Sequence, residues 1–373
     1  VKIAQHYALR IDFLDENVCT HLAKLFRQTN SLPAEDIDKL LHQHVDNIWF
    51  DRIKNLQNRP FASASVGQVH RAELEDGTQV IVKIIKQDFT HSFLRDIRSL
   101  RNLIRVALFF YPKLRKVFDP MGVLDHIEEY TLSELNLHHE IQGKDILQRI
   151  AEKYKDRYDL SRLCFPHFYP ELSNKNVLVA DFIEGKTFDE LLDNGDLPYE
   201  TLLDLFNIHG LYLFGEGTFH GDIHPGNLIL DPDGNIHFID TGALSRTSDK
   251  IRLGLFRFFV SLSVFDYDRC TERLNEMAQK KIEGKKFSRF KFKFHDLYKD
   301  FENSTVSEVS LTKKMMDTIK LGIHCGMEFE KGMFSIIKSL MYLDGMVLRC
   351  KPDAVLLRDM RPFIEKFRNI VEA

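Results

Sequence analysis

The residues best suited to chemistry lie in one short segment, HGDIHPGN, which runs from His220 to Asn227. Phosphoryl transfer needs a group that orients the acceptor and oxygen ligands that hold metal against the phosphates. A kinase catalytic loop supplies both as His-x-Asp with an Asn five residues after the Asp, and a second Asp then returns to the same metal. Asp222 and Asn227 have this spacing, and Asp240 follows thirteen residues later in an Asp-x-Gly. The pattern predicts that Asp222 orients the acceptor and that Asn227 and Asp240 bind Mg²⁺.

Each of these residues also has an ordinary structural explanation. Asp222 and Asp240 could be turn residues, and His220 and His224 could be surface histidines. For any one residue alone that explanation would be the better one. The spacing, the intervening hairpin and the Asp-x-Gly together favour phosphoryl transfer, because a joint coincidence of this kind is rare.

A second candidate, Lys83, lies in the apolar and β-branched run at residues 80–85. A lysine buried without a partner is costly, so we expect it to contact ATP phosphates and a carboxylate. The alternative is an edge-strand lysine that points to water. The small-residue loop just upstream favours a nucleotide, because kinases place there the loop that covers the phosphates. The residues predicted to bind nucleotide on this side are Lys83 together with Ala62, Ser63, Ala64, Ser65, Val66, Gly67 and Gln68.

The loop upstream of Lys83 carries alanine and serine where kinases have glycines. Alanine still lets the backbone approach a phosphate closely, but it has less conformational freedom than glycine. We therefore predict a loop that binds nucleotide and restricts how the γ-phosphate is presented.

The strands that must position Lys83 can be read from the local pattern. Residues 71–74 and 80–85 read as the two strands of a β-hairpin, with a turn signal between them. Residues 177–183 read as a buried strand, and the break at 184–187 reads as a hinge between two lobes.

Most of the remaining chain, including residues 1–59 and 90–160, has the apolar period of helices. Two short strands, at 228–230 and 236–239, flank a turn after the HGDIHPGN segment. The predicted class is α+β: a bilobal, protein-kinase-like fold with an added N-terminal helical extension and a mostly helical C-lobe. The predicted domains are 1–59 for the extension, 60–184 for the N-lobe and 185–373 for the C-lobe.

The length and composition bound the class of protein. The chain has 373 residues, a net charge of −4 and 44% hydrophobic residues, which argues for sizeable cores and against a nucleic-acid partner. The five cysteines form no C-x-x-C pair, so we expect reduced thiols in a cytosol-like compartment. No secretory signal and no apolar run of about 18 residues is apparent. We expect a cytoplasmic protein, with a peripheral contact to the inner membrane or its mitochondrial equivalent as a further expectation.

Taken together, the Ala-rich loop ending in Gln68-Val69-His70, Lys83, the HGDIHPGN segment and the Asp-x-Gly resemble the UbiB/AarF/ADCK family of atypical kinases. The likeness covers roughly residues 1–350. It implies an atypical kinase or ATPase that uses ATP and Mg²⁺ and supports ubiquinone (isoprenoid quinone) biosynthesis at a membrane surface. It also implies a small-molecule or lipid-like acceptor, and quinone-biosynthesis proteins as partners.

The resemblance adds residues that the pattern alone does not single out. Lys2 and Gln5 match the family's K-x-G-Q, in which an N-terminal helix folds over the active site, so a regulatory function is implied for both. Glu134 matches the first position of the family's regulatory E-x-D, and Glu140 matches the glutamate that pairs with the strand lysine. Without the resemblance, both glutamates would be solvated charges on a helix. The hinge residues implied to receive adenine are Asp181, Ile183 and Glu184.

Three positions depart from the family's pattern. Ala4 replaces the motif glycine, Asn136 replaces the motif aspartate, and Thr241 replaces the phenylalanine of Asp-Phe-Gly. The first bears on how the N-terminal helix packs, the second removes a charge from the autoinhibitory contact, and the third removes the hydrophobic switch. None of them removes the lysine or the metal ligands of the ATP site.

Other functions stay open at this level. The Ala-rich loop and the segment from Lys2 to Gln5 also suit a nucleotide-gated pseudokinase scaffold for a lipid-biosynthetic complex, with little catalysis. A small-molecule phosphotransferase of the aminoglycoside or choline type shares a similar His-x-Asp loop, but those two features count against it. A protein Ser/Thr kinase is disfavoured, because no Ala-Pro-Glu occurs between residues 243 and 280.

A separate signal for a membrane contact lies at residues 285–294, where basic residues and phenylalanines alternate. On a strand, this order places the phenylalanines on one side and the basic residues on the other. A phenylalanine face with a basic rim suits an anionic membrane surface. The favoured alternative is a half-buried strand or irregular segment packed on the C-lobe, because such alternation is common in globular proteins. The residues concerned are Phe290, Phe292 and Phe294, with Arg289, Lys291 and Lys293.

Overall fold

The computed structural model describes residues 31–63, 66–86, 90–110, 120–330 and 332–371. The predictions for Lys2, Gln5, Ala64 and Ser65 lie outside the described residues. The chain divides into two compact units. The first takes its residues from 1–144, 166–183 and 241–243, and the second from 145–165, 184–240 and 244–373. The three-part division expected from the sequence stays a prediction.

The first unit is built on a five-stranded antiparallel sheet. The predicted hairpin is present, and Lys83 lies opposite Val69 on one neighbouring strand and Leu178 on the other. Lys83 therefore lies on a central strand, which excludes the edge-strand alternative. The strands are β1 (Ile53–Lys54), β2 (Ala62–Ser63), β3 (Gly67–Leu74), β4 (Gln79–Ile85) and β6 (Val177–Asp181), in the order β1-β3-β4-β6 with β2 beside β3.

Alternation along β4 gives the sheet two different faces. On one face, Val80, Val82 and Ile84 pack against two helices of the N-terminal extension, α1 (Ala34–His44) and α2 (Asn47–Arg52). The indole Nε1 of Trp49 also donates a 2.9 Å hydrogen bond to the carbonyl of Leu172. On the other face, Ile81 and Ile85 pack in a separate cluster with Leu135, Leu137 and Ile141. Lys83 is two residues from both Ile81 and Ile85, so it belongs to this second face.

The helices expected between residues 90 and 160 are present. They are α3 (Thr90–Phe110), α4 (Pro120–Glu134) and α5 (His138–Tyr154). Arg101 on α3 joins the first two, because its Nη2 lies 2.7 Å from both Asp125 and Glu128 on α4.

The second unit is mostly helical around a large aromatic core that includes Tyr212, Phe219 and Phe256. The two short strands predicted around the turn after Asn227 are present as a hairpin. The strands of the second unit are β5 (Leu163–Cys164), β7 (Lys186–Thr187), β8 (Thr218–His220), β9 (Leu228–Leu230), β10 (Ile236–Phe238) and β11 (Leu244–Arg246). Its helices are α6 (Phe188–Asn194), α7 (Tyr199–Gly210), which continues as a π-helical segment (Leu211–Glu216), α8 (Asp249–Ser263), α9 (Tyr267–Met277), α10 (Gly284–Tyr298), α11 (Leu311–Cys325), α12 (Gly332–Cys350) and α13 (Leu356–Val371).

The strand interpretation of residues 285–294 is wrong, because this segment forms helix α10. Phe290 and Phe294 are spaced by four residues, so they share one helical face and are buried in the core. Phe292 lies on the opposite side with 77% of its surface exposed. Lys291 is tied to Asp268 at 3.0 Å. A continuous phenylalanine face is therefore not formed.

Among the described helices, none combines the length and the apolar character needed to cross a bilayer. The cysteines of the described part of the chain are free thiols. They are Cys164, Cys270, Cys325 and Cys350.

Candidate active site

The first part of the candidate site is an ion pair between Lys83 and Glu140. Lys83 Nζ lies 2.5 Å from Glu140 Oε1, and the glutamate side chain is only 6% exposed. Glu140 lies in the first turn of α5, where the positive end of the helix dipole favours a carboxylate. The structure thus brings together the two residues that the family resemblance paired, and their function toward a nucleotide stays a prediction.

Helix α5 also contacts Thr241, the residue that follows Asp240, which is a predicted metal ligand. The Thr241 hydroxyl is buried and donates a 2.6 Å hydrogen bond to the main-chain carbonyl of Glu140. At Gly143, an added Cβ would lie 1.9 Å from the Thr241 carbonyl oxygen, so only glycine fits. The position that is phenylalanine in Asp-Phe-Gly is therefore held here by a polar contact to the helix that carries Glu140.

The second part of the candidate site is organised by His220. Its Nε2 contacts the carbonyl oxygen of Asp240, and its Nδ1 lies 3.1 Å from the amide nitrogen of Asp222. Burial lowers the pKa of His220, so the ring is neutral. Because a carbonyl only accepts and an amide N–H only donates, the proton lies on Nε2. One neutral imidazole thus links the main chains of the two aspartates.

Asn227 is oriented by the same loop. Its Nδ2 donates a 3.0 Å hydrogen bond to the Asp222 carbonyl, which leaves Oδ1 as the amide atom that can ligate a cation. Its carbonyl accepts a 3.1 Å hydrogen bond from the Ile239 amide, one residue before Asp240. An amide oxygen and a carboxylate are hard donors, as Mg²⁺ prefers.

The two predicted magnesium ligands, Asn227 and Asp240, offer one amide and one carboxylate side chain. In the described part of the chain, no three His, Cys, Asp or Glu side chains cluster as a metal centre. Mg²⁺ usually takes one or two protein ligands and completes its shell with water and substrate phosphates. Asn227 and Asp240 would supply two such ligands, and magnesium binding by them stays a prediction.

Asp222 has a partner that sequence reasoning missed. Lys338 Nζ lies 3.0 Å from Asp222 Oδ1 and comes from helix α12. Burial acts to raise the pKa of Asp222, but Lys338, with smaller contributions from His220 and Tyr342, outweighs it and holds the pKa below its ordinary value. Lys338 belongs to no motif and is remote in sequence, so no local signal could have identified it.

The predicted nucleotide loop is only partly described. Ala62 and Ser63 are exposed on β2, and the Ser63 hydroxyl accepts a 2.7 Å hydrogen bond from Lys86. Val66 is buried. At Gly67 an added Cβ would lie 2.9 Å from the main chain of β4, so the one glycine of this loop is required for strand packing.

Gln68 faces the interior rather than solvent. It is fully buried, and its Oε1 accepts a 2.9 Å hydrogen bond from the amide of Leu32. Its Nε2 lies 2.8 Å from Nε2 of His70, whose Nδ1 contacts the carbonyl of Gln57 at 2.7 Å. Gln68 and His70 therefore anchor the start of the described extension to the sheet. Only the main chain of Gln68 remains as a candidate for nucleotide contact.

The predicted hinge follows strand β6. The amide of Asp181 donates to His167, and its carboxylate accepts a 2.9 Å hydrogen bond from the Tyr169 hydroxyl. The amide of the next residue, Phe182, donates to the carbonyl of Gln79, and the adenine contacts predicted for Asp181, Ile183 and Glu184 stay a prediction. Glu184 begins the second unit.

Glu134 is the last residue of α4 and is partly buried. Asn136, which replaces the motif aspartate, uses its side chain locally: Oδ1 accepts from the His138 amide at 3.2 Å, and Nδ2 lies 3.3 Å from Nε2 of His139. The regulatory function implied for Glu134, Lys2 and Gln5 stays a prediction.

The antiparallel sheet with its paired lysine, together with a helical unit that carries a His-x-Asp loop, defines a protein-kinase-like fold. Residues 24–274 match the family described as the ABC1 atypical kinase-like domain. The chain belongs to this family of atypical kinases.

Individual relatives agree with this assignment. A probable protein kinase UbiB from Vibrio atlanticus is 24% identical over 98% of this chain and 67% of its own length. An uncharacterised aarF domain-containing chloroplastic protein kinase from Arabidopsis thaliana is 22% identical over 97% and 71%. Among solved structures, the Rv3197–erythromycin complex from Mycobacterium tuberculosis covers 94% of this chain and 90% of its own, with 21% identity and a TM-score of 0.58. This likeness shows the fold alone.

Proposed function

We propose that this protein is an ATP-dependent atypical kinase or ATPase that supports isoprenoid-quinone biosynthesis at a membrane surface. The observation that carries the catalytic part is the loop in which His220 links Asp222 to Asp240 while Asn227 is oriented by the same main chain. The relatives named UbiB support the kinase class. The quinone pathway and the membrane surface rest on the family resemblance.

The residues divide the work as phosphoryl transfer requires. Lys83, held by Glu140, would donate hydrogen bonds to phosphate oxygens. Asn227 Oδ1 and the Asp240 carboxylate would hold Mg²⁺, which neutralises charge on the phosphates when bound. Asp222 would accept a hydrogen bond from the acceptor hydroxyl and align it with the γ-phosphorus. The acceptor is then water, a small molecule or a lipid-like molecule.

Phosphate release from Mg-ATP tests this assignment when purified wild type is compared with Asp240→Asn. We expect a loss of about 10²-fold or more in metal-dependent turnover, because one charged ligand is removed. Asp233→Asn is the matched control: it makes the same charge change on an exposed turn residue and should leave turnover unchanged. Full turnover in Asp240→Asn would refute the metal assignment.

The same preparations separate catalysis from nucleotide gating. Thermal unfolding with and without Mg-ATP reports binding, because a ligand of the folded state raises its stability. Stabilisation with no phosphate release by wild type would favour the scaffold function instead of the kinase or ATPase. If Mg-ATP neither stabilises the protein nor releases phosphate, the kinase or ATPase function and the scaffold function are both excluded.

A further inference from the structure

Lys338 lies beside Asp222 although it belongs to no recognised motif. The two side chains are 3.0 Å apart and about one-fifth exposed, at 23% and 19%, so the pair is substantially shielded from solvent. The segment from His220 to Asn227 contains neither lysine nor arginine. The positive charge next to Asp222 is therefore supplied from helix α12 rather than from the loop itself.

We propose that Lys338 is a positioning residue for phosphoryl transfer, which holds Asp222 in line for the acceptor and offsets its charge as the γ-phosphate approaches. This inference rests on the proposed function. A carboxylate repels an anionic phosphoryl group, and that repulsion is strong where solvent is excluded. A cation within hydrogen-bond distance of the carboxylate reduces the repulsion and leaves Asp222 able to accept a hydrogen bond on its second oxygen.

The helix that carries Lys338 is built to hold it in place. Tyr342 lies one turn later on the same face of α12, and its side chain also hydrogen-bonds to Asp222. The Tyr342 ring meets the His224 ring edge to face at 5.5 Å, and Lys338 Nζ lies 5.8 Å from the Tyr342 centroid. Ser339, between them in sequence, is fully buried and lies 3.1 Å from Nε2 of His209. Asp222 thus receives two contacts from one anchored helical face.

The reaction balances without a change in the protonation of Lys338. The acceptor oxygen forms a bond to the γ-phosphorus while the bond from that phosphorus to the β–γ bridging oxygen breaks, and ADP leaves with the electron pair. The hydroxyl proton passes to Asp222 and then to solvent. Lys338 keeps its protons throughout and acts only through its charge and its contact with Asp222.

Steady-state phosphate release by Lys338→Met, Lys338→Gln and Lys338→Arg tests the proposal. We expect Lys338→Met to lower kcat by about 10²-fold, as loss of one charged stabilising group does. KM for Mg-ATP should not change, because Lys83, Glu140 and the metal ligands are untouched. Lys338→Arg should restore part of the rate, whereas Lys338→Gln, which keeps a donor but no charge, should not. Lys313→Met, on an exposed position of the neighbouring helix α11, is the control.

The outcomes separate this inference from the proposed function. If wild type shows no turnover, both are overturned. If wild type turns over ATP and Lys338→Met does so equally well or faster, only the function of Lys338 is overturned. Restoration of the full rate by Lys338→Gln would also overturn it, because charge would then not be required. If Lys338→Met does not fold, as thermal unfolding would show, the Gln and Arg pair decides the same question.

Discussion

Gly143 gives a prediction whose sign can be worked out from the structure. It lies inside helix α5, where replacing glycine by alanine ordinarily stabilises a protein by about 1 kcal/mol. Here the added Cβ would lie 1.9 Å from the carbonyl oxygen of Thr241 and 2.8 Å from its carbonyl carbon. Both are main-chain atoms, so no side-chain rotation can relieve the contact. Gly143→Ala should therefore destabilise the protein.

The magnitude follows from three contributions. Overpacking of a close contact costs about 1–3 kcal/mol. Displacing Thr241 also weakens its hydrogen bond to the Glu140 carbonyl, which is worth about 0.5–1.5 kcal/mol. The helix preference of alanine returns about 1 kcal/mol, which leaves a net loss of about 2 kcal/mol in the free energy of unfolding.

Catalysis should be more sensitive than stability to the same change. Thr241 directly follows Asp240 in the chain. A shift of Thr241 that relieves the contact at Gly143 therefore also moves Asp240, a predicted metal ligand. A displacement of about 1 Å at a reacting centre can cost about 10²-fold in rate. We therefore expect metal-dependent phosphate release to fall further than the folded fraction does.

Denaturant unfolding of Gly143→Ala beside Gly345→Ala is the assay. Gly345 is also inside a helix, α12, but an added Cβ there would meet no heavy atom of the described chain within 4 Å. Gly345→Ala should therefore raise the free energy of unfolding by up to about 1 kcal/mol. If Gly143→Ala were as stable as wild type and fully active, the packing of α5 against Thr241 would be refuted.

Three further predictions follow from other contacts. Gln68→Leu leaves the Leu32 amide without its acceptor and should cost about 1–3 kcal/mol in thermal or urea unfolding, so an unchanged midpoint would refute the anchor. Burial lowers the pKa of His209 from 6.5 to about 3, so only the unfolded chain takes up this proton as pH falls below 6.5. His209 should therefore contribute about 2 kcal/mol to the loss of stability between pH 7 and pH 5, and that loss should be smaller by this amount in His209→Gln. Arg289→Glu with Lys293→Glu, on the exposed face of α10, should reduce flotation with anionic liposomes, at about 1 kcal/mol per charge, and unchanged flotation would exclude this face.

Much of the first unit follows from pattern. The β-branched run at 80–85 predicts a strand, and its period of two places Lys83 on the face opposite Val80, Val82 and Ile84. The partner of Lys83 did not follow from pattern. Glu140 reads as one more charge on a helix, and only the resemblance to a known family singled it out.

The alternation at 285–294 shows where pattern reasoning fails. Phenylalanines at every second position fit a strand, but Phe290 and Phe294 are also four apart and so share a helical face. Tyr298 extends the same spacing and is buried with them. This short segment is compatible both with the two-residue period of a strand and with the four-residue spacing of a helical face. Tertiary packing decides in favour of the helix.

Gln68 shows a different limit. Its place in a specific motif beside the nucleotide loop suggested a contact with nucleotide. The structure places its amide in the interior, where it accepts from the main chain at Leu32. A motif marks a position as constrained, but the constraint can be the docking of an extension rather than the binding of a ligand.

The departures from the kinase pattern do not by themselves argue for an inactive protein. Thr241 lacks the hydrophobic side chain of Asp-Phe-Gly, yet its buried hydroxyl binds the helix that carries Glu140. The segment from His220 to Asn227 has neither lysine nor arginine, yet Lys338 brings a cation to Asp222 from α12. Thr241 departs from the kinase motif and Lys338 lies outside any motif. Each nevertheless makes a short polar contact with a candidate catalytic residue. Whether such a site turns over ATP therefore depends on these replacement contacts, and variants that remove them one at a time are a stricter test than the motif.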